Sequence, residues 1–150
     1  MLQYKWVRKL PKSTARSIRL GQLGRWTYGA AGLDLVCTEE KDLQPMERYR
    51  MPTGIIVALP EGHVGLVVPR SGHAGQHGIT VLNSPGTIDA DYRGEVHILL
   101  INLGSEPVKI KRWERIAQLL VVPIWNGDVA EVEELDDTER GQGGFGSTGQ

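Results

Sequence analysis

Nineteen glycines and eight prolines break this chain so often that no amphipathic helix of useful length fits between them. Both residues interrupt helices, one through backbone entropy and the other through its missing N–H. The segments between breakers are short and rich in Val, Ile and Leu, a composition suited to half-buried strands. We read strands over residues 4–8, 33–37, 47–51, 54–59, 63–69, 95–102, 108–110, 115–123 and 129–133. Turn signals at Pro60-Glu61-Gly62, Leu103-Gly104-Ser105 and Asn126-Gly127 separate them. Many short strands at near-regular spacing predict an all-β sandwich, jelly roll or barrel. One run, Ser71 to Gly78, resists a strand. Ser71 suits an N-cap and Gly78 a stop, so one or two helical turns fit there.

A length of 150 residues fits one domain able to bury its own core. The single cysteine, Cys37, excludes an internal disulfide framework and gives no reason to expect secretion. Apolar runs are too short for a membrane span, and residues 1–10 lack a signal-peptide apolar block. A net charge of −1 argues against a generic nucleic-acid coat. The charge is nevertheless polarised. Residues 1–33 carry seven bases and no acid, and residues 126–139 carry seven acids and no base. Two solvated segments explain this most simply; attraction between the ends, within or between subunits, is the sharper reading.

The last eleven residues hold five glycines and cannot form a core element. They also hold Phe145, the only phenylalanine, which suits a lid closing on a flat ligand better than a loose remnant. Gly141, Gly143 and Gly146 match Gly-x-Gly-x-x-Gly, but no helix or downstream acid can follow, so the dinucleotide fingerprint fails. What remains is anion chemistry: Arg140, free N–H groups, Ser147 and Thr148 can wrap phosphate oxygens. Pro69-Arg70-Ser71-Gly72 is a second anion candidate. The run from Asn83 to Glu95 carries three carboxylates, Asp89, Asp91 and Glu95, between turn residues. It reads as a polar β-hairpin with solvated acids or as the seat of a general base. His73 and His77 stand at i, i+4 with no third ligand, so they read as surface residues rather than a zinc site. Cys37 reads as a small strand residue, and Trp6, Trp26, Trp113 and Trp125 as core or subunit-contact residues.

Five runs, in order, resemble the motifs of the trimeric dUTPases, the deoxyuridine triphosphate nucleotidohydrolases. They are Ala31-Gly32-Leu33-Asp34-Leu35; Pro69-Arg70-Ser71-Gly72 through Gly78-Ile79; Gly86 through Glu95; Glu114-Arg115-Ile116-Ala117-Gln118-Leu119; and Arg140 through Gly149. The resemblance covers residues 31–149. It implies a distorted jelly-roll (β-clip) barrel with one short helix, assembled as a homotrimer. Each site would draw on all three subunits. The expected organisation is a barrel over residues 1–139 and a flexible arm over 140–150 that closes on a site.

The implied reaction is dUTP plus water giving dUMP and pyrophosphate, which limits uracil in DNA and supplies dUMP for dTMP synthesis. The resemblance assigns Asp89 to orient and deprotonate the attacking water. Gln118 is expected at the α-phosphate, and Arg70, Ser71 and Gly72 on the phosphates, with Ser71 near the α–β bridge. Arg140, Gly146, Ser147 and Thr148 are expected to close over the γ end. Mg2+ is the implied cofactor, met by Asp34 through a water. Uracil is expected against backbone groups near Ile88 and His97, with Asn83 nearby, and Gly86 and Thr87 are counted among the substrate-binding residues. Tyr92 is expected flat on the deoxyribose and Phe145 stacked on the base. The partners implied are dUTP and two further copies of the chain, with no nucleic acid and no membrane. The place implied is the cytoplasm, or a host-cell interior for a viral form. His73 departs from the large apolar residue usual in the family, and Pro85 adds stiffness before Gly86. A dCTP deaminase of the same fold and a non-catalytic nucleotide-binding module are the rival readings.

Overall fold

The structure, a computed structural model, describes residues 1–7, 23–25, 27–144 and 147. Eleven strands and one helix follow one another along it. They are β1 (Gln3–Trp6), β2 (Leu33–Val36), β3 (Lys41–Leu43), β4 (Arg48–Pro52), β5 (Ile55–Ala58), β6 (His63–Pro69), α1 (Ser71–His77), β7 (Ile79–Val81), β8 (Gly86–Ile88), β9 (His97–Asn102), β10 (Val108–Ile110) and β11 (Arg115–Pro123). All ladders are antiparallel. A four-stranded sheet runs β2-β11-β6-β8 and a three-stranded one β4-β9-β7; β1-β5 and β10-β3 form two-stranded ribbons. The arrangement is a distorted jelly roll, as the resemblance implies, and falls within the all-β classes that the strand pattern predicts.

Alternation decides which face each strand buries. Gly65 and Val67 of β6 and Leu119 of β11 turn inward, while Leu66, Val68, Gln118 and Leu120 face outward, half-buried. The core also takes Leu35, Leu43, Met51, Ile55, Ile98, Leu100 and Ile110. A Cβ on Gly65 would come within 3.0 Å of the Leu119 side chain, so a side chain there would have to displace Leu119. Asn102 is wholly buried yet fully engaged: Nδ2 donates to the Leu43 and Glu106 carbonyls, each at 2.9 Å, and Oδ1 accepts from Gly104 N at 2.8 Å.

Four expectations need correction. Residues 129–133 form no strand. Every residue from 122 through 142 is exposed, and the chain leaves the barrel after Ile124 N–H bonds the Gly62 carbonyl at 2.9 Å. The run Val129-Ala130-Glu131-Val132-Glu133 has two branched residues, but no strand pairs with it among the described residues. The helix N-cap is Arg70, not Ser71, and no side chain caps it; Gly78 does end the helix, at φ 69°. The run from Asn83 to Glu95 is not a paired hairpin, because β8 and β9 lie in different sheets. His73 is buried rather than on the surface. The tryptophan reading is not overturned: Trp6 packs on the core margin and Trp125 is 75% exposed, outside the core, while Trp26 and the end of the first expected strand at Arg8 lie outside the described residues. The short strands β3 and β7 were not anticipated. Among the described residues no helix is long and apolar enough to cross a membrane.

Candidate active site

The four-stranded sheet gathers residues from motifs far apart in the chain. Gln118 of β11 lies opposite Asp34 of β2 on one side and Val68 of β6 on the other, so Asp34 and Gln118 share the outer face. The β11–β2 register shifts between Arg115 and Ala117. That bulge places Arg115 opposite Val36, on the face of Asp34, where regular pairing would have turned it away. Arg115 Nη1 donates to Asp34 Oδ2 at 3.0 Å.

Arg70 closes the group from the end of β6. Its Nη1 donates to the Arg115 carbonyl at 2.8 Å, and its Nε lies 3.4 Å from Asp34 Oδ1. One face of the guanidinium is thus tied to protein. An arginine carries five N–H donors, so most of the fork remains for an anion. Ser71 and Gly72 follow at the exposed start of α1, and a Cβ on Gly72 would meet open space. Arg115 and Glu114 were not singled out as site residues from the sequence. Only the register shift, which no residue pattern announces, reveals Arg115.

Asp34 Oδ1 is buried and makes no hydrogen bond, despite the nearby Arg70 Nε. Among the described residues no three His, Cys, Asp or Glu side chains converge as a cation cage. One carboxylate with a spare buried acceptor suits a cation that keeps its waters and takes its other ligands from phosphates, the habit of Mg2+.

The third motif lies at the far edge of the same sheet. β8 pairs with β6, Ile88 opposite Gly65 and Gly86 opposite Val67, and is an edge strand. β9 belongs to the other sheet, so the run from β8 to β9 is a connection with a turn at Tyr92 N–H to Asp89 O (3.1 Å), not a paired hairpin. The outer edge of β8 therefore has N–H and C=O groups with no neighbouring strand among the described residues. The Asn83 side chain lies over Gly86, where a Cβ would come 3.3 Å from Asn83 Nδ2. Thr87 is exposed and Ile88 half-buried. Tyr92 O–H donates to the Glu95 carbonyl at 3.0 Å, and its ring covers Gly94 so closely that a Cβ there would strike it. The His97 ring Nδ1 lies 3.0 Å from the Glu95 carbonyl. Asp89 is exposed.

Register sets the distance between these groups. From Gly65, opposite Ile88, to Arg70 is five residues along β6, roughly 16 Å at ~3.3 Å per residue. Asp89 is one residue further out still. The structure therefore separates Asp89 from Arg70 within one chain, although the resemblance assigns both to one site.

The final segment folds on itself. Arg140 Nε donates to the Gly143 carbonyl at 2.8 Å, Gly143 N–H to the Arg140 carbonyl at 3.0 Å, and Ser147 N–H to the Gly144 carbonyl at 3.1 Å. Thr138, Glu139, Arg140, Gly143 and Ser147 line an open cleft of about 560 Å³. Phe145, Gly146 and Thr148 lie outside the described residues. Cys37, beneath the sheet, donates its Sγ–H to the Lys111 carbonyl at 2.9 Å. Burial pushes its thiol up to about 11.

Comparison with known proteins agrees with this geometry. Residues 23–149 match the dUTPase family. The chain is 58% identical over 121 residues to the deoxyuridine 5'-triphosphate nucleotidohydrolase of Zymomonas mobilis, covering 81% of this chain and 83% of that protein. It is 50% identical over 146 residues to the protein of the same name from Beijerinckia indica, covering 95% and 91%. The dUTPase of Staphylococcus bacteriophage 80alpha, solved with dUPNHPP, superposes with a TM-score of 0.85 at 30% identity, covering 100% of this chain and 99% of that one. Family match, relatives and fold point the same way: the chain belongs to the dUTPase family.

Proposed function

We propose that this protein hydrolyses dUTP to dUMP and pyrophosphate in sites shared between three copies of the chain. One observation carries the reading. The backbone of Asp89, the carboxylate that would activate water, lies one residue beyond the Ile88–Gly65 pair, roughly 20 Å along the strand direction from that of Arg70, which would grip phosphate. A base must come within one hydrogen bond of the attacking water, and the phosphate donors must touch the same group. A single chain does not bring them together, so a second copy supplies one of the two. The exposed segment over residues 125–142, beyond the last barrel contact at Ile124, fits a third contribution.

In this mechanism Asp89 orients the water and accepts its proton as the oxygen attacks the α-phosphorus. Pyrophosphate leaves on the opposite side. Gln118 steadies the α-phosphate. Arg70, Ser71 and Gly72 hold the chain of phosphates, with Ser71 donating near the α–β bridge, where charge grows. Arg140 and Ser147, with Gly146 and Thr148, close over the γ end. Mg2+ on the triphosphate would neutralise its charge and fix its geometry. Asp34, whose Oδ1 makes no hydrogen bond, would accept one from a water of that ion.

Base selection follows from the free edge of β8. Uracil presents an acceptor, a donor and an acceptor, which an extended backbone edge at Gly86, Thr87 and Ile88 can meet as a neighbouring strand would. Cytosine would set a lone pair and an amine where the edge expects the reverse, leaving buried polar groups unpaired. Asn83, whose side chain lies over Gly86, would stand beside the base, and His97, on β9 of the other sheet, would approach it. Tyr92, pinned over Gly94, would face the deoxyribose and exclude a 2′-hydroxyl. Phe145 stacking on the base would add ~1–3 kcal/mol. The names of the relatives favour this hydrolase over the deaminase. The test is a panel of dUTP, dCTP, dTTP and UTP with Mg2+, reading pyrophosphate and ammonia. Pyrophosphate from dUTP alone supports the proposal. Ammonia from dCTP at a matching rate refutes it.

A further inference from the structure

His73 raises a question of energy. It is only 9% exposed, and its Nδ1 is buried with no hydrogen-bond partner. An unpaired buried polar atom costs stability that an apolar side chain of similar size would not. The position therefore disfavours an imidazole unless the other nitrogen does something useful.

The other nitrogen faces two acceptors. His73 Nε2 lies 3.1 Å from the Arg115 carbonyl and 3.4 Å from Glu114 Oε1. Neither oxygen can donate at neutral pH, so Nε2 carries the proton and donates. The Arg115 carbonyl is the same oxygen that accepts from Arg70 Nη1 at 2.8 Å. A carbonyl has two lone pairs. Arg70 and His73 both reach this one oxygen. Glu114 is itself anchored, its Oε2 accepting from Lys111 N–H at 2.8 Å, in a turn whose Trp113 has φ 70°. Helix α1, which begins right after Arg70, is thus pinned to the bulge of β11 at the oxygen that orients the guanidinium.

We infer that His73 is a positioning residue for the phosphate grip: by sharing the Arg115 carbonyl it fixes the Arg70 fork toward the substrate. This rests on the proposal that Arg70 holds the triphosphate. His73 touches no substrate and acts only through Arg70.

The test measures Kd for α,β-imido-dUTP with Mg2+, by calorimetry on the full-length assembled protein, alongside thermal unfolding. His73→Leu, which fills the space without a donor, should weaken binding by roughly three- to ten-fold, the worth of one hydrogen bond. His73→Gln, whose amide nitrogen reaches the same carbonyl, should bind within about two-fold of the parent. In an Arg70→Ala background the His73→Leu change should have no further effect, because the two act as one unit. If His73→Leu does not fold, His73→Asn replaces it, its amide stopping short of the carbonyl. The inference is overturned if His73→Leu binds like the parent while Arg70→Ala is weak. It is also overturned if Gln weakens binding as much as Leu, or if the Leu effect persists undiminished without Arg70. Parental affinity in Arg70→Ala alone would instead overturn the phosphate-grip reading, and the role of His73 with it.

Discussion

Gly32 is buried beside the residue assigned to the α-phosphate, and adding one methyl group there tests that assignment from behind. A Cβ on Gly32 would lie 3.0 Å from both Cβ and Cδ of Gln118 and 3.2 Å from its Oε1. Carbon atoms pack at ~3.5–4.0 Å, so the Gln118 side chain must retreat by roughly 0.5–1 Å. The backbone cannot yield easily, because Gln118 is bonded between β2 and β6 in the middle of the sheet. A displacement of ~1 Å in a reacting geometry can cost ~10²-fold, so Gly32→Ala should lower kcat by about ten-fold or more. Overpacking should also cost about 1–3 kcal/mol, or about 2–12 °C in Tm. Pyrophosphate release and thermal unfolding on one preparation separate the two effects. The double variant with Gln118→Ala removes the clashes with Cδ and Oε1 but keeps the one with Cβ, so it should recover part of the lost Tm and none of the kcat. A folded Gly32→Ala protein with kcat within about two-fold of the parent refutes the placement of Gln118 at the reacting group.

Asp89→Asn should keep affinity for dUTP while losing ~10²–10⁴ in turnover, the usual worth of a general base; quench-flow of pyrophosphate release checks it, and a near-parental rate sinks the assignment. Two glycines of the α1 region should respond in opposite senses. Gly78→Ala puts a Cβ 2.5 Å from Gly104 N at a φ of 69° and should cost about 2–4 kcal/mol. Gly75→Ala meets open space inside the helix and should gain about 0.5–1 kcal/mol, both read by urea unfolding. Burial pushes the Cys37 thiol up to about 11 in the folded chain, above the ordinary thiol range, so the native state holds its proton longer than the unfolded one. Its contribution is therefore intact below pH ~9 and declines as pH rises toward ~11, by at most about 3 kcal/mol. Cys37→Ala should flatten that part of the stability–pH curve.

Strands rich in branched residues were legible in the sequence because burial demands them: β6, β9 and β11 fall where Val, Ile and Leu cluster between turn residues. The short β3 and β7 were not, since three residues carry too little pattern to be read. Residues 129–133 carry two valines and no partner among the described residues, which shows that local composition describes a capacity for pairing and not the pairing itself. Arg70, Asp34 and Gln118 were legible as site candidates through the family resemblance. Their mutual contacts were not, because the shift in β11 that turns Arg115 toward Asp34 belongs to register, which is fixed by tertiary packing. The same holds for the separation of Asp89 from Arg70, the fact that most constrains the mechanism.

That separation makes subunit sharing the central claim, and mixing two inactive proteins tests it most directly. One carries Asp89→Asn with its arm intact; the other keeps Asp89 but lacks residues 140–150. If base and arm in each site come from different chains, random trimers from an equal mixture should complete about a quarter of their sites and regain about a quarter of parental dUTP turnover. A mixture that exchanges subunits freely and stays as inactive as its components would mean that base and arm belong to one chain.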